Sequence, residues 1–346
     1  ASLEPQAQAA LPGVDQLVPN ADTDRHVELV TERLALPALP IAAPDIGAAT
    51  ALGRNRVRAF VKVQDGCRHR CTFCIVTVAR GAERSRPIPD IVAEIRALHA
   101  AGANEAVLTG VHVGGFGRDL GTDLAALLRA ILDDTDLPRL RLASVEPWDL
   151  PQGFGRVFAN RRLQPHLHLP LQSGCDRTLR RMARRCRSDD FRALVESLRA
   201  QVADFNVTTD VIAGFPGETA ADWAESLNFI DALGFGGLHV FAFSARPGTA
   251  AARLQDRVPA QEIRLRCAQL QDLHARLRRD YLTRFIGRKM EVLWEFAAPG
   301  QSPAGYTSNY LRCTSGTAAG GPPPNTFSQV RMARLGADGA TLVGTP

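Results

Sequence analysis

Between positions 57 and 285 short apolar runs alternate with longer amphipathic stretches. The runs AFVKVQ, EAVLTGV, RLRLASV, HLHLPL, NVTTDVIAG and GLHVFAF are rich in Val, Leu and Ile and bounded by turn residues, which predicts buried parallel strands. The stretches DIVAEIRALHAAG, DLAALLRAILDD, DDFRALVESLRAQV, TAADWAESLNFIDALG and the long QEIRLRCAQLQDLHARLRRDYLTRF repeat apolar residues at helical spacing. Six such βα units predict an α/β fold, a partial (β/α)6 TIM-like barrel over residues 56–286, open on one side, in preference to a doubly wound sheet.

The texture differs on either side. Residues 1–55 hold the apolar run VDQLV, a capped helical pattern in DTDRHVELVTERL and the Pro/Ala/Gly-rich ALPALPIAAPDIGAATALG, which reads as a linker. This is too little for a domain and reads as the tail of one. After Gly287, MEVLWEFA, GYTSNYLRC, TFSQVRMARL and ATLVG are separated by Gly/Pro turns, which predicts a small all-β module over 287–346. A five-stranded OB-like barrel of the kind that binds oligonucleotides fits that pattern.

Composition narrows the class. With 45% hydrophobic and 22% charged residues the chain reads as soluble and globular, and no apolar run reaches membrane-spanning length, so no membrane is expected as partner. Seven cysteines, an odd and scattered set, argue against a disulfide framework and for a reducing, cytoplasmic setting. The net charge of +5 comes almost wholly from arginine, since Lys62 and Lys289 are the only lysines. Biased codon usage and phosphate recognition both account for that excess.

Three of the cysteines, Cys67, Cys71 and Cys74, fall in DGCRHRCTFC, just past the first strand. Parallel barrels build their sites at the C-terminal ends of strands, so this loop faces the barrel mouth. Three thiolates can hold three irons of a 4Fe-4S cluster and leave the fourth open to a non-protein ligand. Zinc on these cysteines with His69 lacks the second knuckle such sites use, and a redox pair of Cys71 and Cys74 leaves Cys67 idle. The C-x-x-x-C-x-x-C spacing, with the aromatic Phe73 before the last cysteine, favours the cluster.

The loop resembles that of radical S-adenosylmethionine (SAM) enzymes. Together, CTFCIVTVARGAERSRP, VLTGVHVGGFGRDLG, HLHLPLQSGCDRTLRRM, TTDVIAGFPGET, HVFAFSARPGT and GYTSNYLR resemble the methylthiotransferase family. Within it they are most similar to the branch that adds a methylthio group to threonylcarbamoyladenosine beside the tRNA anticodon. The resemblance extends from Ala1 to about residue 313. It implies a cluster that cleaves SAM to a 5'-deoxyadenosyl radical, the anticodon loop of tRNA as partner, and an electron donor such as flavodoxin or ferredoxin. It also implies a second 4Fe-4S cluster held by three N-terminal cysteines. Those cysteines are not found in this chain, and Cys175, Cys186, Cys267 and Cys313 have the wrong spacing to replace them, so sulfur insertion by this chain alone is not expected. Methylthiolation of a ribosomal-protein aspartate and a zinc-stapled RNA-binding protein are the alternatives.

The same resemblance distributes roles around the mouth. Thr109 and Gly110 end the second strand where the family's backbone approaches the methionine amino group, although a tight turn explains the glycine equally well. Ser144 and Glu146 correspond to ribose and methionine contacts, and Gln172 lines the site with Ser173. Asp210 and Gly214 lie on the segment that runs along the adenine, where a turn capping the next helix from Thr219 is the other reading. His166 and His168 are read as lying on opposite faces of their strand, one of them a satisfied polar group.

Arginines supply the RNA-binding candidates. CDRTLRRMARRC reads as a helix with Leu179, Met182, Ala183 and Cys186 on one stripe and a face of arginines, among them Arg181 and Arg184, without an acid. Arg80, Arg84 and Arg86 follow the cysteine loop. In the C-terminal module Tyr306, Tyr310 and Arg312 are expected to stack on or clamp unpaired bases.

Overall fold

The computed structural model describes residues 12–14, 16–18, 25–35, 57–298, 300–316 and 321–345. The stretch read as a linker and most of the N-terminal segment lie outside the described residues; helix α1 (His26–Arg33) lies within them and buries none of its side chains.

Six strands run parallel in chain order: β1 (Arg58–Asp65), β3 (Glu105–Gly110), β4 (Arg139–Leu142), β5 (His166–His168), β6 (Asn206–Ala213) and β7 (Gly237–Ala242). The ladder thins between β4 and β5, where only the single bridges Leu140 to Leu163 and Ser144 to His168 remain. A two-residue strand, β2 (Arg84–Ser85), pairs antiparallel with the end of β1. It has no counterpart in the sequence-based expectation, because two residues carry no periodicity. Helices α3 (Ile88–Ala100), α4 (Leu124–Asp134), α6 (Ser188–Gln201), α7 (Ala220–Leu233) and α8 (Ala260–Thr283) alternate with the strands, and short helices α2 (Val76–Arg80) and α5 (Asp176–Arg181) sit in the loops at strand ends.

Strand alternation sorts the side chains. Ala59, Val61 and Val63 of β1, Leu140 and Leu142 of β4, Leu167 of β5 and Val207 and Val211 of β6 pack with Ile91, Ile95, Leu127, Leu128, Val195 and Ile230 of the helices in one core. The opposite faces look into the barrel, and there His166 Nε2 and His168 Nδ1 both lie 3.0 Å from Thr208 Oγ1. The expectation that these two histidines occupy opposite faces is therefore corrected: positions i and i+2 of a strand share a face.

Five strands close into a barrel after α8: β8 (Lys289–Trp294), β9 (Ala304–Thr307), β10 (Arg312–Ser315), β11 (Phe327–Leu335) and β12 (Leu342–Thr345). The run GYTSNYLRC, read as one strand, is split by a turn in which Thr307 N–H donates to Leu311 O and Tyr310 takes φ +64°. The barrel has its own core around Trp294, Met332, Cys313 and Leu311, with Tyr281, Leu282 and Phe285 from the end of α8.

The module lies across the N-terminal ends of the parallel strands, opposite the cysteine loop. Arg58 donates to Glu295 Oε1 and Tyr310 Oη at 2.7 and 2.8 Å, Arg139 to Tyr306 O and Glu291, and Arg141 to Thr307 O and Ser308 O. Fully buried Glu105 sits among these arginines, 3.0 Å from Arg141 Nε.

Candidate active site at the barrel mouth

β1 ends at Asp65, and the turn into the loop at Gly66 requires a residue without a side chain. The φ of Gly66 is +74°, and a Cβ there would lie 1.9 Å from Ala82 O. Buried Asp65 and Gln64 fix the turn: Asp65 Oδ1 accepts the Gly66 N–H at 2.8 Å, and Gln64 Nε2 donates to Gly66 O at 2.7 Å. Cys67 N–H then donates to Gly81 O, and Cys74 N–H to Cys71 O. Thr72 is tied to two other segments, donating to Met182 O and accepting from Ala251 N–H. All three cysteines are free and half-buried. Phe73 points away from them into a small apolar cluster of Met182, Ile212, Phe215 and Ala251.

Burial pushes the Cys67 thiol up to about 11 and raises that of Cys71, the latter against the opposing pull of Arg184. Three free thiols in one short loop held by backbone bonds, two of them with raised pKa values, suit a cationic metal group that supplies the charge itself. The residues therefore fit a 4Fe-4S cluster.

Next to the loop stands a set the sequence did not bring together. Arg184, whose side chain is 2% exposed, donates to Glu146 Oε1 and Oε2 at 3.0 and 2.6 Å. It also reaches Cys71 Sγ at 3.8 Å, and its guanidinium carbon lies 4.3 Å from the Trp148 ring centre. Beside it His112 Nδ1 is 2.6 Å from Glu83 Oε1, His112 Nε2 pairs with Asp149, and Trp148 Nε1 and His112 Nε2 both approach His69 Nε2. Burial opposes a charge on His112, but the bonds from Asp149 and Glu83 outweigh it and raise its pKa.

The family model of the Radical SAM superfamily matches residues 61–230. The threonylcarbamoyladenosine tRNA methylthiotransferase MtaB of Bacillus subtilis is 33% identical over 330 residues, which cover 90% of this chain and 72% of that protein. The chain belongs to the radical SAM methylthiotransferase family. The MtaB of Thermotoga maritima is 38% identical over 75% of this chain and 60% of its own length. A tRNA-2-methylthio-N(6)-dimethylallyladenosine synthase of Thermobifida fusca is 41% identical over 68% of this chain and 48% of its own length. The chain thus spans about half to three-fifths of the length of these last two relatives.

For a radical SAM methylthiotransferase, the remaining candidates sort by position. Thr109 and Gly110 end β3, where a Cβ on Gly110 would lie 2.8 Å from Gln64 O, so close approach of two backbones accounts for the glycine. Ser144 is exposed and bridges His168. Gln172 is buried at φ +71° and is tied by backbone bonds to Asp210 and Ile212 of β6. Gly214 N–H donates to Glu218 Oε2, which is ion-paired with Arg266 at 2.8 Å, while Thr219 and Asp222 form a capping box on α7. Ser144, Glu146, Gln172 and Gly214 thus all lie at the strand ends that carry the cysteine loop; Asp210 lies deeper.

The arginine face is different from the expected one. α5 stops at Arg181, and Ala183 adopts φ +54°. Arg184 N–H donates to Leu179 O and Ala183 N–H to Arg180 O, a Schellman closure that turns Arg184 inward. Arg184 is therefore withdrawn from any solvent-facing RNA surface, and Ala183 is exposed rather than part of an apolar stripe. Acids do oppose these arginines: Asp176 of α5 lies 3.4 Å from Arg187, and from α7 Asp222 and Glu225 pair with Arg177 while Arg181 lies 3.5 Å from Asp222. Arg80 is 3.6 Å from Asp65, Arg86 is 2.7 Å from Glu94, exposed Arg312 acts on Asp338 at longer range, and exposed Arg84 forms no ion pair among the described residues. Tyr306 stacks on Tyr310 at 4.8 Å under Arg58, so its ring is already occupied where the two barrels meet.

A cavity of about 1000 Å³ is lined by Arg139, Arg156, Arg161, Arg162, Glu291 and Phe327 among others, at the seam with the C-terminal barrel. It lies at the end of the strands remote from the cysteines.

Proposed function

We propose that this chain carries the SAM-cleaving and RNA-contacting parts of a tRNA methylthiotransferase, acting at C2 of N6-threonylcarbamoyladenosine at tRNA position 37. The observation that carries the reading is the half-buried loop of Cys67, Cys71 and Cys74, held over parallel strands with Glu146 and Arg184 beside it, in a chain related to MtaB over most of its length. A 4Fe-4S cluster on these three cysteines would supply the electron that cleaves SAM to the 5'-deoxyadenosyl radical, drawn from a donor such as flavodoxin or ferredoxin.

The chain's own residues have separate tasks. Gly66 and Gln64 hold the loop open above β1, and Arg184 keeps the Glu146 carboxylate in one orientation at the mouth, where it can accept from the methionine ammonium of SAM. Thr109, Ser144 and Gln172 add polar groups at neighbouring strand ends, and the Gly214 segment of β6 offers backbone to the adenine. Arg84 and Arg312, both exposed and neither in a direct ion pair among the described residues, can meet phosphates, as can the outward parts of Arg80, Arg86 and Arg181. A second cluster and the sulfur it relays would have to be supplied by residues other than those described.

Anaerobic reconstitution with iron and sulfide, followed by measurement of 5'-deoxyadenosine from SAM and dithionite, tests the reading. Iron uptake and 5'-deoxyadenosine formation that disappear in Cys71→Ala support it. Tight zinc binding without either would replace it with the zinc-stapled alternative. Nucleoside mass spectrometry of tRNA from a deletion strain separates tRNA from a ribosomal-protein substrate.

A further inference from the structure

Deeper in the barrel than the cysteine loop lies a charged cluster that the tasks above leave unused. Asp210 of β6 stands opposite His239 of β7 in register, and its Oδ1 lies 3.0 Å from His239 Nδ1 and 3.1 Å from His168 Nε2. The two imidazole rings stack 5.0 Å apart, and Thr208 Oγ1 holds the other nitrogen of His168 at 3.0 Å. Leu167, Val207, Val211 and Leu238, on the opposite strand faces, are buried in the helix-side core, so the cluster faces the lumen.

The cluster is reachable. The His239 side chain is 64% exposed and that of Asp210 21%. Phe241, two positions beyond His239, and Phe60 on the same-facing side of β1 are 49% and 57% exposed, which leaves apolar surface open beside the cluster. Both imidazole bonds fall on Asp210 Oδ1, which leaves Oδ2 to accept from a ligand. His239 keeps Nε2 for the same purpose, and its bond to Asp210 raises its pKa, which favours the charged form.

We propose that His168, Asp210 and His239 form the subsite for the N6 substituent of the target adenosine and select a polar, carboxylate-bearing substituent over a hydrocarbon one. This rests on the tRNA methylthiotransferase reading. It also addresses what overall identity leaves open, since relatives named for the threonylcarbamoyl and the dimethylallyl nucleoside are 38% and 41% identical to this chain. A threonylcarbamoyl group carries a hydroxyl and urea N–H groups that Asp210 Oδ2 can accept, and a carboxylate that pairs with the imidazolium of His239. A dimethylallyl group offers none of these. Seated here, it would strip water from a carboxylate and an imidazolium and return nothing, the circumstance in which a polar site rejects an apolar analogue most strongly. His168, locked by Thr208, acts as a positioning residue for Asp210.

The test uses the reconstituted protein with SAM and three fluorescent anticodon stem-loops that differ only at the target position: adenosine, threonylcarbamoyladenosine and dimethylallyladenosine. Anaerobic anisotropy titrations should show the threonylcarbamoyl RNA preferred over the dimethylallyl RNA by about 100-fold. In Asp210→Asn and His239→Phe that preference should collapse to a few-fold, while His239→Gln, which keeps a donor, retains part of it. Circular dichroism melts check that each variant is folded. Equal affinity for the two modified RNAs, a dimethylallyl preference, or an unchanged preference in His239→Phe overturns the subsite. So does a stoichiometric divalent metal lost in His239→Ala, since the three ligand atoms are close enough to hold one. Failure of all three RNAs to bind, or absence of SAM cleavage, instead removes the tRNA reading on which the subsite rests.

Discussion

Arg184 and Glu146, 38 positions apart in the chain, meet through both guanidinium nitrogens, and the same guanidinium reaches the sulfur of Cys71. Replacing Arg184 by Ala leaves a half-buried carboxylate beside the Cys71 thiol, which is proposed to hold iron. The expected loss is about 3 kcal/mol of stability, with faster loss of iron after reconstitution. Arg184→Lys keeps the charge without the fork and should recover only part of both. Urea midpoints and iron content after desalting are the measurements; an Arg184→Ala protein equal to wild type in both would detach the pair from the site.

Ala183 holds the left-handed conformation that turns Arg184 inward, at φ +54°. Glycine has no Cβ to strain there, so Ala183→Gly should stabilise the apoprotein by about 1 kcal/mol. A lower unfolding temperature in this variant would contradict the assignment.

The pair His239–Asp210 makes stability depend on pH in two directions. The bond to Asp210 raises the His239 pKa, so its contribution is complete below the unfolded value of about 6.5 and is lost as pH climbs through the raised folded value. Burial works against ionisation of Asp210, but its histidine bonds win and lower its pKa. Its contribution is complete above about 4 and is lost as pH falls through the lowered value. The difference in unfolding temperature between wild type and His239→Ala should therefore be greatest between about pH 4 and 6.5 and shrink toward alkaline pH. A difference that grows above pH 7 would reverse the sign.

Glu105 is enclosed by Arg58, Arg139 and Arg141, which in turn grip the C-terminal barrel. Glu105→Ala strands these cations away from water, and a loss of about 3–5 kcal/mol is expected in urea unfolding. A midpoint within experimental error of wild type would show the ion layer to be dispensable.

Arg84 and Arg312 are the exposed arginines proposed to meet phosphates. Each Ala replacement should weaken stem-loop RNA binding and reduce the slope of log affinity against log salt by about 1. Unchanged slopes would place the RNA elsewhere.

The cysteine loop stood out because its thiols are local: three cysteines in eight positions need no tertiary information to be noticed. The strands and helices of the parallel barrel were legible for a similar reason, since the face each turns to the shared core carries a buried apolar pattern that is written directly into the sequence. What escaped were relations across the fold. Arg184 looked like one more exposed arginine until Ala183 broke the helix, and Arg181 looked unopposed because Asp222 belongs to another helix. Tyr306 read as a base-stacking residue, yet its ring is taken by Tyr310 and Arg58, a contact between segments about 250 residues apart (positions 58 and 310 are separated by 252). His112, Asp149 and Glu83 were missed since nothing in their spacing announces a network.

The ion layer at the base of the parallel barrel also ties two cores together. Arg58, Arg139 and Arg141 each hydrogen-bond the C-terminal barrel while Glu105 sits among them, so loss of either unit would leave charges of the other without partners, and the two are expected to melt in one step rather than apart.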